Sequence, residues 1–118
     1  MIKQFINVSM QKEFIHQYLD APEEVLFLRN PHRHILHITV EIEVFHDDRE
    51  LEFILVKRDL EKFLDSQQLT AVSIRSCEMI GLSILTYVQA KYGANRDVNI
   101  GVSEDGENGS ILKYTKEV

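Results

Sequence analysis

The segment His34 to Phe45 constrains the fold more than any other, because Leu36, Ile38, Val40, Ile42 and Val44 alternate with His37, Thr39, Glu41, Glu43 and Phe45. Successive side chains of a strand point to opposite faces, so a strict period of two describes a strand with one face in a core and the other in polar surroundings. Such a strand needs a second layer over its apolar face. The rest of the chain must supply it.

Two helical patterns do so. Val56, Leu60, Phe63 and Leu64 fall at i, i+4, i+7 and i+8, leaving Lys57, Arg58, Glu61 and Lys62 for water, and the pattern stops near Asp65-Ser66. Ser76 reads as an N-cap, Cys77, Ile80, Ile84, Leu85 and Val88 as one helix face, and Gly93 as the C′ residue. Residues 4–16 (QFINVSMQKEFIH) are rich in β-branched residues without Gly or Pro and predict a strand that closes at His16. Residues 17–31 hold both prolines of the chain and form a connection with a short helical turn after Asp20-Ala21-Pro22. His46 to Arg49 reads as a polar turn, and Leu51-Glu52-Phe53 as a returning strand, a helix start being the alternative. Val98, Ile100 and Val102 alternate, Glu104 continues their face, Asn108-Gly109 signals a hairpin within 105–109, and Ile111 to Thr115 returns as a last strand.

The resulting order is strand, strand, strand, helix, helix, strand, strand. It predicts one α+β domain over residues 1–118, with an antiparallel sheet of four or five strands and two helices packed on one face. Hydrophobic residues make up 44% and charged residues 27%, which sets the chain apart from disordered sequences. A net charge of −6 argues against a duplex nucleic-acid partner, whose phosphates need lysine and arginine to displace counterions. Apolar runs fall well short of the ~20 residues that cross a bilayer, no signal segment opens the chain, and Cys77 stands alone, so the expected location is cytoplasmic.

Three of the five histidines lie in NPHRHILH, residues 30–37. His32 and His34 are two apart on a strand and project from one face, and the antiparallel arrangement brings His16, at the end of the preceding strand, near them. Three neutral imidazoles with one open position make a ligand-binding or catalytic Zn²⁺ site, whereas structural zinc has four closed ligands. Solvated strand-end histidines are the alternative. His37 points the opposite way and His46 lies in a charged turn, so neither joins the group.

Phe14-Ile15-His16, then His32-Arg33-His34 and a long alternating strand, Glu52-Phe53 before a helix, Ser76-Cys77-Glu78 opening a second helix, and a late Val102-Ser103-Glu104 together resemble the 6-pyruvoyltetrahydropterin synthase and 6-carboxytetrahydropterin synthase family, the tunnelling fold. The resemblance spans most of the chain, and each motif is only two to five residues long. It implies zinc on His16, His32 and His34, a pterin ring held by Glu104, further ligand contacts from Ser76 and Glu78, and a homo-oligomer with sites between subunits. Arg33 stands where the family usually has glycine, and with Arg49 and Arg75 it is a further candidate for gripping an anionic ligand group.

Two departures break the family's proton relay. Four residues before His32, where such synthases carry a cysteine, stands Leu28, and after the first helix Leu64-Asp65-Ser66 keeps the family's aspartate and loses its histidine. Neither Leu28 nor Ser66 titrates near neutral pH. Asp65 and Cys77 are the remaining catalytic candidates, although the helical spacing of Cys77 equally suits a buried core thiol. The expected function is therefore capture of a pterin, purine or nucleotide-derived molecule without synthase chemistry, such as phage sequestration of a nucleotide signal. A zinc-dependent lyase with altered catalytic groups and a structural oligomer without ligand are the alternatives.

Overall fold

The computed structural model describes residues 1–117. Strand β1 (Gln4–His16) pairs with β2 (His32–Val44), β2 with β3 (Val98–Glu104) and β3 with β4 (Asn108–Tyr114), giving a four-stranded antiparallel sheet in sequence order. Helices α1 (Phe53–Asp65) and α2 (Cys77–Tyr92) pack on the apolar face, α1 against β1 and α2 against β3 and β4. A 3-10 helix, Glu23–Arg29, follows Pro22 as the proline's fixed φ favours. The fold is the α+β class expected from the alternation.

Parity explains which face is covered. Val8, Val40, Ile100 and Leu112 are direct cross-strand partners, and the first three are buried together with Met10, Phe14, Leu36, Ile38, Ile42, Val98 and Val102. Val56, Leu60 and Leu64 of α1 and Cys77, Ile80, Ile84 and Val88 of α2 join them in one cluster. Ser76 caps α2 by accepting from the Met79 N–H at 3.2 Å, and Gly93, at φ +101°, ends it.

Two local expectations are corrected. No strand forms at Leu51–Phe53, because β2 already has a partner on each side, and Glu52 instead caps α1 by accepting from the Ile54 N–H at 3.1 Å. The element order is thus strand, strand, helix, helix, strand, strand. The reversal between β3 and β4 is made by Asp105 and Gly106, both at positive φ (58° and 74°), whereas Asn108-Gly109 lies inside β4. Gly109 is needed there for another reason: a Cβ would stand 2.0 Å from the Val102 carbonyl oxygen. Strand β2 starts at His32, so His32 and His34 are both on the strand, as their spacing requires.

Among the described residues no helix is long and apolar enough to cross a membrane.

Candidate metal centre

The register assembles the histidines. His16 is the direct partner of His32, and Phe14 of His34, so all three rings project from the helix-covered face where the apolar core gives out at the end of the sheet. A second set of bonds fixes His16 from its other side: Ile15 N–H donates to the Leu69 carbonyl, and Ser73 N–H to the Ile15 carbonyl, both at 2.9 Å. Leu36 of β2 faces Glu104 of β3, which brings that carboxylate to the same end and face.

The ring centroids are 4.3 Å (His16–His32), 5.0 Å (His32–His34) and 5.2 Å (His16–His34) apart. Glu104 Oε2 lies 2.8 Å from His34 Nε2 and 3.0 Å from His16 Nε2. One ligand atom from each of His16, His32, His34 and Glu104 falls within 4.8 Å of the others. The ligands of a tetrahedral ion with bonds near 2.0 Å stand about 3.3 Å apart, so modest side-chain rotation completes the set. Glu104 thus stands among the nitrogens rather than beside them, a closer role than ring anchor alone.

The outward ring atoms have partners of their own. His34 Nδ1 donates to Asp105 Oδ2 at 2.6 Å and His32 Nδ1 to the Asn30 carbonyl at 2.8 Å. A ring that spends its N–H outward presents a lone pair inward. Consistent with this, His16 Nε2 and His32 Nε2 are buried without a hydrogen-bond partner among the described residues, His16 approaching Glu104 without hydrogen-bond alignment. Buried polar atoms are normally satisfied, and convergent acceptors facing a carboxylate call for a cation. The donor set therefore fits a metal ion.

Electrostatics agree. Burial, partly offset by Glu104, lowers the His16 pKa, with His32 and His34 adding to the fall, which keeps the ring in its neutral, ligating form. Hydrogen bonds from Ile35 N–H and then His34 hold the Asp105 carboxyl below the usual range, so it stays an acceptor.

The cluster floors a cavity of ≈ 710 Å³ that Ser76, Cys77, Glu78 and Arg75 line from α2 and the segment before it, and Leu28 from the 3-10 helix. That size suits a small organic ligand. The candidates from sequence divide sharply. Glu104, Ser76, Glu78 and Arg75 line this cavity, but the Arg75 guanidinium is turned to Ser83 Oγ (2.9 Å) and Gln67 Oε1 (3.3 Å). Arg33 is on the opposite sheet face, paired with Glu13 at 3.0 Å. Arg49 lies beyond the far end of β2, roughly 40 Å along the strand, next to Asp48. Asp65 is exposed on α1, bound to Lys12 at 2.9 Å and outside the cavity. Cys77 is in the lining, yet burial first, then Glu104 and Glu78, push its thiol up to about 11, so it holds its proton at neutral pH.

Sequence reasoning missed Asp105, Glu107 and Asn108 in the lining, and Asp105 as a partner of His34. Only the Asp-Gly dipeptide hinted that this turn would fold back over β2. No family model and no curated protein matches the sequence.

Proposed function

We propose that this chain is a zinc-containing protein that captures a pterin- or purine-like small molecule in the cavity above His16, His32 and His34, without turning it over. The observation that carries this reading is the convergence of three imidazole nitrogens and the Glu104 carboxylate, two of the nitrogens buried and partnerless among the described residues. Held by the three imidazoles, zinc would supply a Lewis-acidic position for a ligand oxygen that takes the place of the Glu104 carboxylate. The three-histidine donor set with one carboxylate suits Zn²⁺ better than the all-oxygen ions. The three histidines are also the zinc ligands implied by the resemblance to the pterin synthase family, which assigns Glu104 to the pterin ring instead.

The lining indicates the ligand's polarity. Glu78, Glu104, Asp105 and Glu107 contribute four carboxylates, against one arginine whose guanidinium is engaged elsewhere. Even with a dication present the cavity remains anionic, which disfavours a phosphate-bearing nucleotide and favours the N–H-rich, guanidine-like edge shared by pterins and guanine. Capture rather than catalysis is supported by Leu28 in the lining, by the protonated thiol of Cys77 and by the distance of Asp65. Assembly into a homo-oligomer belongs to the same proposal: β1 along most of its length and β4 are open sheet edges that a second copy can cover.

The test is incubation of the zinc-loaded protein with panels of pterins, purines and cyclic nucleotides, followed by heating and mass analysis of what is released. Unchanged pterin or purine supports capture. A new product indicates a lyase, and retention of nucleotides alone contradicts the assigned polarity.

A further inference from the structure

We infer that Asp105 is the positioning residue that prepares His34 for the metal, an inference that rests on the zinc centre proposed above. Asp105 opens the β3–β4 reversal at φ +58°, a conformation aspartate tolerates better than most side chains. Three hydrogen bonds tie it to β2. Its N–H donates to the Ile35 carbonyl at 2.7 Å, its Oδ1 accepts from the Ile35 N–H at 2.9 Å, and its Oδ2 accepts from His34 Nδ1 at 2.6 Å. The carboxylate therefore cannot rotate away from His34 without giving up the Ile35 bond.

Because an ionised carboxylate can only accept, this contact requires the proton on Nδ1 and leaves Nε2 to face the cluster. The same contact makes the imidazole a stronger donor to a cation. His32 relies on a neutral backbone carbonyl for this purpose, so His34 alone of these two has a charged partner. The residue immediately after Glu104 thus serves the ligand on the neighbouring strand, and a single turn places one carboxylate in the cluster and the next behind it.

Asparagine separates positioning from mere loop stability. In Asp105→Asn the amide oxygen can keep the Ile35 bond, but the NH₂ then faces Nδ1, donor against donor, and drives the ring proton to Nε2, the nitrogen that must ligate. In Asp105→Ala water can take the Nδ1 proton, and Nε2 stays free. The expected order of zinc affinity, read by competition with a chromophoric chelator, is wild type, then Asp105→Ala, then Asp105→Asn, the last about 10- to 100-fold below wild type. X-ray absorption on the zinc-loaded proteins should count three imidazoles in wild type and two in Asp105→Asn, with circular dichroism confirming that each variant is folded. Asp105→Asn equal to wild type, or tighter than Asp105→Ala, overturns the inference while leaving the zinc centre intact. A wild type that takes up no zinc overturns the centre itself. Should Asp105→Asn fail to fold, Asp105→Ala carries the test alone: undiminished zinc affinity in that variant overturns the inference.

Discussion

At the scale of single residues, the site depends on parity and on proton placement. His32 and His34 share a face because they are two apart, and His16 joins them because it is the direct partner of His32 across an antiparallel pair. His37, the odd neighbour, faces away and lies near Gly106. Replacing His34 by alanine should therefore weaken zinc by more than the ~10- to 100-fold that loss of an outer partner costs, whereas His37→Ala should leave it unchanged. Chelator competition on the two variants checks this, and equal losses would deny any special role to the even-numbered face. These histidines were legible from sequence because a period-two pattern fixes direction. Glu104's place among the nitrogens was not, since it depends on how far its side chain reaches across β2.

At the scale of elements, the helices and strands announced themselves where pattern and cap agreed, as in α2 with Ser76 before it and Gly93 after it. At Leu51-Glu52-Phe53 the helix start holds and the strand does not; the sequence leaves both open because the first residues of α1, Phe53, Ile54 and Leu55, are apolar yet exposed, and glutamate is an uncommon cap. The reversal falls within 105–109, but on Asp105-Gly106 rather than Asn108-Gly109, because both dipeptides suit positive φ and sequence alone does not rank them. Two substitutions test these assignments by thermal or denaturant unfolding. Ser76→Ala should cost about 1 kcal/mol, the usual worth of an N-cap. Gly109→Ala should cost about 3 kcal/mol or more, since the added methyl meets backbone rather than a side chain that can move. A neutral Gly109→Ala would mean that β3 and β4 do not pair in this register.

For the whole molecule, the candidate metal cluster and a buried ion-pair network sit at opposite ends of the sheet. The metal centre occupies the end where β1 finishes, while at the other end the buried Glu43 and Asp97 tie the two ends of the described chain together through Lys3 and Lys116. Lys3 above all, then the Lys116 N–H, holds the Asp97 carboxyl below its ordinary range. For Glu43, burial works upward, but the Asp97 N–H and Lys116 outweigh it and the net shift is also downward. Unfolded, both carboxyls take up protons near pH ~4; folded, they resist to lower pH, so their stabilisation is complete above that range and is lost as pH falls through the depressed values. Melting temperature should decline gently below about pH 6.5, where unfolded His16 takes up a proton that the folded ring resists, and drop further below about pH 4, with a shallower second drop in Asp97→Asn. A wild-type curve flat to pH 3 would exclude this network as a source of stability.

Native mass spectrometry of the protein purified without chelator, beside His32→Ala and His34→Ala, measures the convergence of the three imidazoles on one cation most directly. One zinc ion per wild-type chain, absent from both variants while their folds persist, is the expected result. A wild type that stays metal-free after exposure to zinc, or variants that retain the ion in full, would contradict it.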